Sequence, residues 1–313
     1  MTAHWGSGRA CSLEWTPRGV GPVGRPCFYI RFLFAYNIAM TEKLSSSALR
    51  REIGARNLAR AAEGREHEVT YGEVASVIYC GDEAEHGNFY AASYRAIVQQ
   101  PEWARRLEKR YTASARVPRA FDRRRYELDC ANSSDALLMN VFCCPRVLAR
   151  AEVCSLLGVE RGCVPEFGVR VGLTMKKKQV DRTEIDMRLG DLLVEAKLTE
   201  TGFQTAPMRL LERYVALEEV FDVDELRRND GGRVRGYQLI RGALAAHATG
   251  GSFVVLCDGR RRDLMEQSFG VMCAVSSLSL RSRLKMLTWQ ELAASLPRGL
   301  REFLAEKYGI AAG

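Results

Sequence analysis

Glu184-Ile185-Asp186-Met187-Arg188-Leu189-Gly190-Asp191-Leu192-Leu193-Val194-Glu195-Ala196-Lys197 alternates apolar and polar residues on either side of a Gly-Asp pair. Alternation with a period of two is the pattern of a half-buried strand, and Gly-Asp is a two-residue loop suited to a tight antiparallel hairpin. That loop pairs Leu189 with Leu192. Counting outward sets Asp186 across from Glu195 and Glu184 across from Lys197, while Ile185, Met187, Leu189, Leu192, Val194, Ala196 and Leu198 share the apolar face. A hairpin with a solvated ionic face accounts for Glu184 and Lys197 as a cross-strand ion pair. It does not account for Asp186 and Glu195, because like charges directly opposed, with Cβ atoms about 5 Å apart, destabilise a sheet. A hard divalent cation, commonly held by one or two carboxylates, gives the pair a reason to exist, and a diagonal Lys197 would serve in part.

Asp186 at the end of one strand, with Glu195-Ala196-Lys197 on the next, resembles the signature of the PD-(D/E)xK, or restriction-endonuclease-like, nuclease superfamily. Ile185 stands where that signature has proline. The resemblance implies that Asp186 and Glu195 bind Mg²⁺, for which Mn²⁺ substitutes, with the Ala196 carbonyl as a further ligand. Lys197 would orient or activate the attacking water. The chemistry agrees, since phosphodiester hydrolysis needs charge neutralised on the phosphoryl and leaving oxygens and a hydroxide near neutral pH. Whether Lys197 acts as a hydrogen-bond donor or as a proton acceptor of perturbed pKa stays open.

The surrounding pattern predicts an α/β fold. Ser133-Ser134-Asp135 opens a helix with Leu137, Leu138, Val141 and Phe142 at helical spacing. An alternating strand follows over Phe167–Met175, then the hairpin, helices across Ala206–Leu226, and a helix over Gly236–Ala248 closed by Gly250-Gly251. The apolar run Ser252–Cys257 predicts a buried central strand. Leu284–Leu287 predicts another short strand, and Thr288–Tyr308 two helices broken at Pro297. This order matches the αβββαβ core that the resemblance implies, with a mixed sheet flanked by helices and a helical N-terminal extension. Candidate domains are a poorly structured segment over 1–39, a basic and mostly helical accessory region over 40–132, and the nuclease core over 133–313. The change of texture at Met40 marks a candidate native start. Further site candidates are Asp135, as an extra acid near the metal or a helix-start acid, and Gln238, which resembles a helix motif of exonuclease-like branches. Arg241 is a candidate phosphate contact, and Glu184 either a second metal ligand or the partner of Lys197.

The chain has 313 residues and a formal net charge of +8, which favours a polyanionic partner. Basic residues gather at Lys176-Lys177-Lys178, at Arg105, Arg106, Lys109 and Arg110, at Arg123-Arg124-Arg125 and at Arg260-Arg261-Arg262. Each run alone is an ordinary solvated face; beside a phosphate-cleaving site they read as contacts to a nucleic-acid backbone, with Lys176, Lys177, Lys178 and Arg260 foremost. The ten cysteines include no C-x-x-C pair, which argues against zinc, and Cys143-Cys144 reads as helix packing. Cys27–Met40 is short and broken by Arg31 and Asn37, so it fails as a membrane span. His86, in a turn, and His247, at a helix end, read as structural. The expectation is therefore a cytoplasmic, Mg²⁺-dependent endo- or exonuclease of the restriction, genome-defence or DNA-processing kind, acting on DNA rather than RNA, with a homodimer as a candidate assembly. The alternatives are a nucleic-acid-binding module with a vestigial site and, more weakly, a hydrolase of small phosphate esters.

Overall fold

In the computed structural model, residues 44–70, 75–82, 84–110 and 126–312 are described. The expectations for 1–39, Cys27–Met40 and Arg123-Arg124-Arg125 lie outside them. The opening helix α1 (Ser46–Ala61) is capped by the Ser45 side chain. It is followed by a short antiparallel pair, β1 (His67–Val69) and β2 (Val77–Tyr79), then by α2 (Ala91–Gln99), α3 (Pro101–Leu107), α4 (Ser134–Phe142) and α5 (Ala151–Leu157). The Ser133 side chain accepts from Ala136 N at the start of α4, and every residue of that helix is buried.

Next come β3 (Glu166–Arg170), β4 (Leu173–Met175), β5 (Gln179–Asp181), β6 (Glu184–Leu189), β7 (Leu192–Ala196), α6 (Tyr237–Thr249), β8 (Ser252–Cys257), α7 (Arg262–Ala274), β9 (Leu284–Thr288), α8 (Trp289–Ala294) and α9 (Arg298–Tyr308). The central sheet has the order β9-β8-β7-β6-β3. β7, β8 and β9 run parallel, whereas β6 is antiparallel to both β7 and β3. Helices flank both faces. On one, Met187, Leu189, Leu192, Val194, Ala196, Val254 and Leu256 pack against α1, α4, α5, α8 and α9. On the other, α6 lies so close that a Cβ at Gly242 would meet the Phe253 ring at 2.3 Å.

Two sequence expectations are corrected. The strand expected over Phe167–Met175 is two strands in different sheets, β3 in the central one and β4 in a separate hairpin with β5. Residues 206–226 form only isolated turns of helix, the longest four residues. The parallel β8–β9 connection is made by α7, whose Leu264, Met265, Ser268, Val271 and Ala274 are buried at helical spacing. The 40–132 region shares its core with the rest, since Leu49 and Ile53 of α1 belong to the main apolar cluster. α1, β2 and α9 meet at a fully buried Lys307, whose Nζ donates to Asn57 Oδ1 at 2.6 Å and lies 4.8 Å from the centres of both the Tyr79 and Tyr308 rings.

Candidate metal centre

The hairpin register is set by its turn. Gly190 takes a positive φ of 56°, Leu189 pairs with Leu192, and pairing continues to Met187 with Val194. There the strands part. On that register Ala196 would meet Ile185, but its N–H donates instead to Asp186 Oδ2 at 2.8 Å, so a side-chain carboxylate takes the place of a ladder carbonyl. Beyond the parting, β7 continues against β8, with Lys197 N donating to Leu256 O at 2.8 Å.

β7 is buried on both faces, so the ionic face is not a solvated one: Glu195 is 3% and Lys197 5% exposed. Lys197 Nζ donates to Glu195 Oε1 at 2.7 Å, and Gln238 Nε2, from the first turn of α6, donates to the same oxygen at 2.8 Å. Burial alone would pull the Lys197 ammonium down; Glu195, Glu200 and Asp186 outweigh it and hold its pKa above the ordinary lysine value. Lys197 is therefore a firmly charged donor in this arrangement. Asp186 is partly buried and makes no ion pair among the described residues. Burial, then Glu195 and Asp135, push its carboxyl well above the usual carboxylate range against the opposing pull of Lys197.

The other two acids are already paired. Arg106 Nη2 reaches Asp135 Oδ2 at 2.9 Å and Glu184 Oε1 at 2.6 Å, and Lys109 Nζ reaches Asp135 Oδ2 at 2.7 Å. Burial works against both charges, but Asp135, aided by Glu184 at Arg106 and by Glu127 at Lys109, more than offsets it and raises both pKa values. The expected Glu184–Lys197 pair is thus replaced: Lys197 turns to its neighbour two residues back, and Glu184 to α3.

Several expected nucleic-acid contacts are placed differently. Lys176, Lys177 and Lys178 are exposed, on the turn between β4 and β5. Arg241 is buried, with Nε 2.9 Å from Asp181 Oδ2, which also accepts from Tyr214 at 2.6 Å. Burial opposes the Asp181 charge, yet Thr183, Tyr214 and Arg241 hold that carboxyl down at about 2. Arg260 is tied to Asp258 at 2.7 Å and to Glu52 at 2.9 Å, and joins α1 to the end of β8. His86 is saturated by Asp129 and the Asn88 N–H, and His247 pairs with Glu219. Cys143 and Cys144 are buried and free.

Sequence reasoning missed Glu200, whose carboxylate accepts from Leu198 N and from Ser134 Oγ, both at 2.6 Å. It fastens the chain after Lys197 to the start of α4, and it lies past the end of the alternation, where no periodic signal remains. It also missed that Arg106 and Lys109 face inward.

Among the described residues, no group of three or more His, Cys, Asp or Glu side chains could hold a metal ion. Mg²⁺ asks for less, one or two carboxylates with carbonyl or water oxygens. An acid without a paired cation beside a second buried acid fits such an ion, with Asp186, Glu195 and the Ala196 carbonyl as donors.

No helix of the described residues is long and apolar enough to cross a membrane. No curated protein and no solved structure matches the chain. The family described as Restriction Endonuclease associating with ARP is matched over residues 56–309, and the chain belongs to that family.

Proposed function

We propose that this chain is a Mg²⁺-dependent nuclease that hydrolyses DNA phosphodiester bonds through Asp186, Glu195 and Lys197, on an αβββαβ core formed by α4, β3, β6, β7, α6 and β8. The observation that carries the reading is the junction where β6 and β7 part. Among the described residues it sets a carboxyl that makes no ion pair beside Glu195 and the lysine bonded to it. Asp186, Glu195 and the Ala196 carbonyl would hold the cation, which when bound neutralises charge on the phosphoryl oxygens and makes hydroxide accessible near neutral pH. Lys197, whose Nζ lies 2.7 Å from Glu195 Oε1, would orient the water or a phosphoryl oxygen beside the cation. Gln238 fixes the Glu195 carboxylate from α6. The exposed Lys176, Lys177 and Lys178 hold the strand by its phosphates. The family's description also names an association with ARP, and we extend that partner to this chain.

The test is incubation of the purified protein with supercoiled and linear DNA, with Mg²⁺ or with a chelator. Cleavage should appear only with the metal and should vanish in Asp186→Asn and Glu195→Gln while DNA binding persists. Undiminished cutting by either variant rejects the assignment.

A further inference from the structure

α3 and the short segment after its end turn two cations, Arg106 and Lys109, toward the sheet rather than toward solvent. Arg106 and Lys109 enter beside β6 because β3 carries a glycine at the position across from Asp186. Gly168 takes a φ of 66°, and a Cβ there would lie 2.3 Å from Arg106 Nη1 and 3.0 Å from the Glu184 carboxyl carbon. Through that gap Arg106 reaches Asp135 and Glu184 together, while Lys109 reaches Asp135 and, at 3.1 Å, Glu127. The cluster is half-buried, with side-chain exposures of 5% for Asp135, 12% for Arg106, 24% for Lys109 and 30% for Glu184.

Glu184 lies two residues from Asp186 on the same face of β6, and Arg106 joins Glu184 to Asp135, so the acids form one continuous patch. Hydrolytic sites of this chemistry are served by one ion or by two set about 3.5–4 Å apart between shared carboxylates. A second ion on Asp135 and Glu184 would have to displace a guanidinium and an ammonium already in hydrogen-bond contact with them.

We propose that Arg106 and Lys109 occupy, as fixed cations, the place a second divalent ion would take, so that the centre binds one ion. This inference rests on the reading that Asp186 and Glu195 hold a divalent cation. On it, Asp135 and Glu184 are not metal ligands. Their task is to position two fixed positive charges beside the reacting phosphate, a role that α3 imports from outside the β3–β8 segment.

Calorimetric titration of the full chain with Mn²⁺, cross-checked by the electron spin resonance signal of free Mn²⁺, counts the ions. Wild type should bind one. The Arg106→Ala/Lys109→Ala double variant should bind two, and adding Glu184→Gln should return the count to one; Arg106→Lys, which keeps the charge, should stay at one. If the double variant fails to fold by circular dichroism, single variants decide. Asp135→Asn and Glu184→Gln should change Mn²⁺ affinity by less than about tenfold, whereas Asp186→Asn should cost more than about a hundredfold. Two ions in wild type, or a loss in Glu184→Gln as large as that in Asp186→Asn, overturns the proposal and leaves the metal reading standing. No ion in wild type sinks both.

Discussion

Among the described residues two lysines are buried almost completely, and their surroundings drive them in opposite directions. Lys197, 5% exposed, faces Glu195 at 2.7 Å with Glu200 and Asp186 nearby, and its charge is held. Lys307, fully buried, faces the Asn57 carbonyl oxygen and two tyrosine rings, with Arg60 and Arg65 adding repulsion and only Glu306 opposing; its pKa falls well below the ordinary value. Burial costs both lysines, so it does not separate them. What separates them is whether carboxylates come with the burial, and only at Lys197 do they. The Lys197 ammonium sits among acids where β6 and β7 part, whereas the Lys307 amine sits against an amide and aromatic rings where α1, β2 and α9 meet.

The strongest way to break this comparison is to remove each amine in turn. Lys197→Ala should lower the rate of Mg²⁺-dependent DNA cleavage by about 10²–10³-fold, the scale seen when one donor to a developing oxyanion is deleted. Lys307→Met should leave the rate within a factor of about three, since it lies in the α1–β2–α9 joint. Equal losses in the two variants, measured as single-turnover rates on one substrate, would erase the distinction.

A smaller effect separates them by pH. A lysine with a depressed folded pKa binds fewer protons folded than unfolded between that value and about 10.4, so stability rises with pH across that window. Lys307 should contribute a slope of up to about 1.4 kcal/mol per pH unit there, read from urea melts below about pH 8, before the buried thiols and then Tyr79 and Tyr308 begin to ionise in the unfolded chain. Lys307→Met should flatten the curve. A slope unchanged by the substitution would mean that Lys307 stays charged.

The smallest effect concerns cations that face solvent rather than acids. Changing Lys176, Lys177 and Lys178 to Gln should reduce the salt dependence of DNA binding, log Kd against log salt, by about 0.9 for each phosphate that the lysines no longer neutralise. Arg260→Gln, which breaks the Asp258 and Glu52 pairs, should show in the thermal melt and not in that slope.

The β6–β7 hairpin was legible because one face is apolar at every second residue and Gly190-Asp191 admits one short turn, so Leu189 had to meet Leu192. α4, α6, β8 and the Pro297 break between α8 and α9 were legible for the same reason: each repeats its period for two turns or more, or is apolar throughout. The division of 167–175 was not, because the alternation runs unbroken while the chain leaves one sheet for another at Val171-Gly172. Nor was the fate of the cations. Arg241 finds Asp181 sixty positions away, and Arg106 finds Asp135 across twenty-nine, so a local reading sees only an exposed basic residue. For Arg260 the partner Asp258 was two residues off, and that nearness was the one available hint.

The Ala196 amide gives the site an internal gauge. Its N–H donates to a carboxylate instead of a neighbouring strand's carbonyl, so the backbone of the central sheet is wired to the state of that acid. In isotopically labelled protein, the nuclear resonance of that one amide follows whatever happens at Asp186, whether a proton leaves or a cation arrives, without a substrate or a turnover.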